Sequence, residues 1–299
     1  MANTCLVTKL QGTVAGDNLI KFGTLKLLIS RKYLTLSDSY TNLLIKFTGL
    51  PAAATPTIKL DIEAKYNNVI YPAGTEIVLN PVYGATANQV SFKISDIPAA
   101  GCYAYITDKY NIQTLGANSN YNPNCIMSPR ELSYLNYITI ATGMTIEGGD
   151  IAEMDCPYLE KTGNLRNLTG SLADYPHPTK LKSVTAIMGS DLSVVANDLL
   201  GLINLEMFPS VNADNFVLNT TDMISVFSTL TKFNTFDTRG SGVTCDAEAF
   251  ALGLKNAGVV SRTIVITMQS KQWAGGSGTS QVKKTFVFDA NGDYTITTA

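Results

Sequence analysis

The sequence predicts an α+β chain in two parts: an N-terminal antiparallel β-sandwich-like domain over residues 1–125, then a short α/β solenoid over residues 126–299. Three observations predict it. Short apolar runs separated by Gly and Pro fill the first part. Apolar stripes at helical spacing, each followed by a short strand, recur in the second. An Asn-Gly turn between alternating segments then closes the chain.

In the first part, Leu19–Phe22 and Thr24–Ile29 are apolar runs around Gly23, and Leu43–Phe47 is followed by Gly49 and Pro51. Thr57–Glu63 and Gln89–Ile94 alternate apolar with polar, the period of a half-buried strand. Pro72–Gly74 reads as a turn before Glu76–Leu79. A turn carrying Pro98 and Gly101 feeds a strand with Cys102, Ala104 and Ile106 on one face. Tyr103, Tyr105 and Thr107 take the other face, which makes Tyr103 and Tyr105 candidate surface-binding residues. Strands at this spacing with Gly/Pro turns point to an antiparallel sandwich or barrel. Residues 116–129, rich in Asn, Ser and Pro, read as a linker or exposed loop at the domain boundary.

In the second part, three stripes predict helices: Leu192, Val195, Leu199, Leu202; Met223, Val226, Phe227, Leu230; and Ala247, Phe250, Ala251, Leu254. Candidate N-caps are Ser190 or Asp191, Thr220 or Thr221, and Thr244 or Asp246, and Gly258 fits a left-handed C-cap. Strand candidates start at Leu181, Leu205, Phe233 and Thr263, in steps of 24, 28 and 30. A second marker, Gly149–Ile151, Gly170–Leu172 and Ser190–Leu192, steps by about 21, with Ala213–Phe216 as a degenerate copy. Such periods around an L-x-x-L core predict a leucine-rich-repeat-like solenoid, in which each unit buries its apolar face only against the next. Val282–Phe288 and Asp293–Thr297 flank Asn291-Gly292, predicting a capping hairpin within about 268–299.

Composition narrows the function. Charged residues are 15% of the 299, below the roughly 25% of ordinary soluble domains; Thr, Ser, Asn and Gln take their place, a common trait of rigid extracellular or virion proteins. Net charge is −2 without a basic run, so nucleic acid is not an expected partner. No apolar stretch reaches the ~18–20 residues of a membrane span, and the opening MANTCLVTKL lacks the pattern of an export signal. Cys5, Cys102, Cys125, Cys156 and Cys245 are odd in number and scattered, which favours reduced, buried thiols over a disulfide framework.

No catalytic residue, metal or cofactor is expected. His177, the single histidine, sits between two prolines in an expected turn with no partner evident. Asp150, Glu153, Asp155 and Glu160 form the densest acidic cluster, the raw material of a glycosidase pair. No aromatic sugar platform adjoins it, so a solvated surface is the reading. Asp289, Asn291 and Asp293 resemble the start of a calcium loop, but Gly292 comes too early and the hairpin accounts for them. Gly275–Gly278 lacks the Lys-Ser/Thr of a phosphate loop. Trp273 beside it is either a buried anchor or an exposed binding aromatic, and it joins Tyr103 and Tyr105 as a candidate.

The opening Met1–Leu10 with Gly12–Leu19, the marker Gly149–Ile151 and the terminal Phe288–Ile296 resemble proteins of crAss-like and other Bacteroidetes-infecting bacteriophages. Residues 30–125 carry no such likeness. The resemblance implies a non-catalytic virion structural protein: a head fibre, capsid decoration or tail-associated part, made in the host cytoplasm. Its partners would be other capsid or tail proteins, further copies of itself, and a host surface glycan or protein. The alternative is a bacterial surface adhesin or carbohydrate-binding leucine-rich-repeat protein.

Overall fold

The computed structural model describes residues 25–30, 40–47, 56–79, 89–95, 101–107, 112–116, 124–135, 138–141, 144–188, 191–212, 215–239 and 242–299. The opening Met1–Leu19, the run Leu19–Phe22, Cys5, the turns at Gly49/Pro51 and Pro98, residues 117–123, Ser190 and Ala213 lie outside them.

The first part holds β1 (Leu25–Ser30), β2 (Tyr40–Phe47), β3 (Thr57–Leu60), β4 (Ala64–Tyr66), β5 (Val69–Tyr71), β6 (Glu76–Val78), β7 (Gln89–Ser95), β8 (Cys102–Ile106) and β9 (Ile112–Gly116). They form two antiparallel sets, β1-β8-β3-β6 and β5-β4-β7-β2-β9. Alternation decides the faces. Leu25, Leu27 and Ile29 are buried on β1, and Cys102, Ala104 and Ile106 on β8, as their spacing predicts. These residues share one core with Ile45, Ala64, Tyr66, Ile112 and Leu115 of the second set. Asn67 and Asn68 both have positive φ between β4 and β5, where a two-residue hairpin matching the strand twist demands it.

The second part runs through β10 (Asn124–Met127), helix α1 (Pro129–Leu132), β11 (Met144–Glu147), β12 (Lys161–Arg166), β13 (Ser183–Met188), α2 (Ala196–Leu200), β14 (Met207–Asn212), α3 (Thr220–Thr229), β15 (Thr235–Thr238), α4 (Ala247–Asn256), β16 (Arg262–Gln269), β17 (Gln281–Phe288) and β18 (Tyr294–Thr298). From β10 to β16 each strand lies parallel beside the next in chain order. Cys125 faces Met144 and Thr145 faces Asn164, the same step of 19 in sequence number. The step then grows: Thr162 to Val184 is 22, Ser183 to Met207 is 24, Met207 to Thr235 is 28 and Thr235 to Val265 is 30. The last three equal the steps read from the sequence, although each strand begins a position or two away from its apolar run. Leu181, Leu205 and Phe233, which open three of those runs, are buried just ahead of the strands.

The shorter-period marker is a second hydrogen-bonded seam. Parallel bridges join Asp150 to Thr169, Ser171 to Ser193, Val194 to Phe216 and Cys245 to Trp273. Ile151, Leu172, Leu192 and Phe216 are fully buried beside them.

Two expectations need correction. Residues 116–129 are not all loop: Asn124–Met127 is a strand with Cys125 and Met127 buried. That strand pairs antiparallel with β1 on one side and parallel with β11 on the other, so a single 13-stranded mixed sheet runs through residue 125. Ser128 and Glu131 then form a capping box for α1. The stripe Leu192–Leu202 is helical only from Ala196, because Leu192 belongs to the seam and Val195 is the N-cap. The two longer helices follow their stripes, with Met223, Val226 and Phe227 of α3 and Phe250, Ala251 and Leu254 of α4 buried. Asn219 caps α3, one position ahead of the predicted threonines, and Asp246 caps α4. Gly258 takes φ +81°. Its N–H donates to Lys255 O while that of Val259 donates to Leu254 O, closing α4 in a Schellman motif. At the closing hairpin Asp289 Oδ1 accepts from the N–H groups of Asn291 and Asp293, and Gly292 has φ +80°.

Candidate binding surfaces

The residues that carry chemistry are spent on a local cap and on contacts between segments about 22 residues apart. His177 Nε2 lies 2.7 Å from Asp155 Oδ1, one unit earlier, and its ring meets Tyr175 edge-on. Glu160 accepts from Lys182 Nζ at 2.9 Å. That hydrogen bond raises the Lys182 ammonium, with Glu206 on the next unit adding to it. Asp150 Oδ1 accepts from Ala152 N–H, capping a 3₁₀ turn over Ile151–Glu153. Asp150, Asp155 and Glu160 of the acidic cluster are therefore engaged by a cap, an imidazole and a lysine. Among the described residues no three His, Cys, Asp or Glu side chains gather as metal ligands would.

The thiols sit in the core. Burial pushes Cys102, Cys156 and Cys245 up to about 12, each helped by a nearby Asp, and moves Cys125 in the same direction. A thiol held so far above neutrality supplies almost no thiolate, the reactive form.

Trp273 is not a surface aromatic. It is 5% exposed. Its Nε1–H donates to Val282 O, Lys284 Nζ stands 5.2 Å over the ring, and Phe286 packs beside it. The seam bridge to Cys245 fixes its backbone. It anchors the closing hairpin to the last unit. Tyr103 and Tyr105 do sit on the outward face of β8, 38% exposed in the case of Tyr103. Lys26 Nζ lies 4.3 Å above the Tyr103 ring, Lys59 Nζ lies 5.7 Å from that of Tyr105, and Asp61 accepts from Tyr103 N–H. The strip presents aromatic faces beside ammonium groups.

A larger surface escaped the sequence reading. Across five strands the register aligns Met207, Thr235, Val265, Thr285 and Thr297. A second row aligns Thr263, Val287 and Thr295. All face away from Ile264, Ile266, Met268, Phe286 and Phe288, which are buried. At the usual strand spacing the first row spans roughly 20 Å. These two rows present hydroxyls and methyls, and a third row on the same face, Asp237, Thr267 and Lys283, adds one charge of each sign. The signal of this face was the alternation in Thr263–Thr267 and Tyr294–Thr298, where every second residue is Thr or Val.

Arg262 was also unforeseen. Its guanidinium donates to the carbonyls of Phe227, Leu230 and Phe233, at and just beyond the end of α3, and to Asn234 Oδ1. Burial lowers it to about 10, still far above neutral pH, so it holds the helix end as a cation.

No protein-family model matches the chain, and neither a curated protein nor a solved structure is significantly similar to it.

Proposed function

We propose that this chain is a non-catalytic structural component of a bacteriophage particle, a head fibre, capsid decoration or tail-associated part, which displays a surface on a rigid scaffold. In this reading residues 1–125 form a β-sandwich that anchors the protein to capsid or tail neighbours. Residues 126–299 form a leucine-rich-repeat-like solenoid with a hairpin cap, and copies of the chain associate. The observation that carries the reading is the sheet continuous through residue 125, which mechanically couples an anchoring half to the outward Thr- and Val-rich face of β14–β18. The parallel register in chain order and the second seam favour the solenoid. The shared core of the two antiparallel sets favours the sandwich. The test is mass spectrometry of purified particles with cryo-EM of their surface: the chain is expected at fixed stoichiometry, and its absence from particles removes the proposal.

A second reading, a carbohydrate-binding surface protein, draws on Tyr103 and Tyr105 beside Lys26 and Lys59. Selective glycan binding lost in Tyr103→Ala would favour it; a blank glycan array would remove it.

A further inference from the structure

We infer that β18 is the self-association edge of this protein, pairing antiparallel with β18 of a second copy about a two-fold axis centred on Ile296. This deepens the self-association part of the reading above and depends on it.

The hydrogen-bond phase of the closing hairpin sets which backbone groups are available. Lys283 and Ala299 exchange both N–H···O bonds, and Asp289 N–H donates to Asp293 O. In an antiparallel ladder such pairs alternate with pairs whose polar groups point away from the partner. The register Thr285–Thr297 and Val287–Thr295 therefore turns Thr295 and Thr297 toward β17. The N–H and C=O groups of Tyr294, Ile296 and Thr298 point outward. β18 ends the 13-stranded sheet, and among the described residues no strand pairs with its outer side.

The other sheet ends differ. β6 and β5 are three residues long, and β6 begins with Glu76. β9 has Ile140 bridged against it, with Leu115 N–H donating to Ile140 O. β18 is five residues long and contains no charge, no proline and no bulge, the devices that blunt an edge.

The side chains fit a second copy. A two-fold centred on Ile296 sets Ile296 against itself, Tyr294 against Thr298 of the mate and Thr295 against Thr297 of the mate. No like charges face each other in this register. Tyr294 and Ile296 pack on the core but stay half-exposed, because the sheet stops beside them. A mated strand would complete their burial and carry the Thr/Val face across the junction. An isologous interface of this kind closes as a dimer.

Full-length protein tests it by sedimentation equilibrium with residue-resolved amide exchange. Wild type is expected to dimerise, with Tyr294, Ile296 and Thr298 amides gaining protection as concentration rises, while Thr295 and Thr297 are protected throughout. Thr295→Lys/Thr297→Lys places lysines opposite each other and should raise the dimer dissociation constant at least about tenfold. Thr295→Lys/Thr297→Glu pairs opposite charges in the same register and should retain the dimer. Association with no change at Tyr294, Ile296 and Thr298 overturns the edge while leaving self-association standing. A strictly monomeric wild type overturns both. Equal weakening in the two variants, or protection independent of concentration (an edge covered by the chain's own residues), also overturns the edge.

Discussion

The parallel strands divide into two regions that solve one packing problem differently. From β10 to β13 the step between paired strands is 19 to 22 in sequence number. The chain crosses over there by α1 and 3₁₀ turns such as Ile151–Glu153 and Leu172–Asp174. From β13 to β16 the step is 24 to 30, and α3 and α4 reach ten residues each. Strand spacing is fixed by backbone hydrogen bonds, so the extra length goes into the crossovers. In the short units neighbouring strands approach closely. A Cβ on Gly163 would lie 2.0 Å from Met144 O and 2.6 Å from Ala141 O, and Thr145 and Thr162 are fully buried, Thr162 Oγ1 donating to Gly163 O. The long units fill their interior with rings: Phe227 stacks on Phe233 at 4.7 Å and meets Phe250 at 5.5 Å, while Phe208 meets Phe216 at 5.7 Å. The longer crossovers thus go with a core filled by aromatic side chains.

Substitutions can break that contrast. Phe227→Ala empties the centre of the ring cluster and should cost about 3–5 kcal/mol in urea unfolding; a loss under about 1 kcal/mol would show that the rings do not interlock. Arg262→Met strips the end of α3 of its cationic donor and should cost about 2–3 kcal/mol, since the carbonyls of Leu230 and Phe233 lose their partner. A matching shift in helix content by circular dichroism checks where the loss falls. Gly163→Ala, the smallest side chain that can be added, should cost about 1–3 kcal/mol from overpacking against the neighbouring strand; the reference is Gly258→Ala at the end of α4, where an added Cβ meets nothing within 4 Å and only the left-handed φ is penalised. Asp246→Ala should cost about 1 kcal/mol as a lost helix cap, and Asp150→Ala, which caps a three-residue turn, should cost less.

The same contrast explains what the sequence disclosed. The long units carry Leu181, Leu205 and Phe233 ahead of their strands, and the last two add full helical stripes, so their steps were legible to the residue. In the short units the strand segment Lys161–Arg166 contains Thr162, Gly163 and Asn164, and 3₁₀ turns leave no α-helical period to read. Those units showed only their seam, as the marker at Asp150, Ser171 and Leu192. β10 was hidden because Asn124–Met127 sits at the end of an Asn-rich run, and so short a strand carries too little alternation to stand out. Trp273 illustrates a different limit: its neighbours Gly275–Gly278 are exposed, but the ring turns inward to Phe286, a contact set by tertiary packing.

The most direct measurement is an experimental structure resolving residues 124–269. The expected result is Cys125 beside Met144, Ser183 beside Met207 and Thr235 beside Val265, with β10 shared between β1 and β11. Antiparallel pairing anywhere between β10 and β16, a strand out of chain order, or a break in the sheet at residue 125 contradicts it.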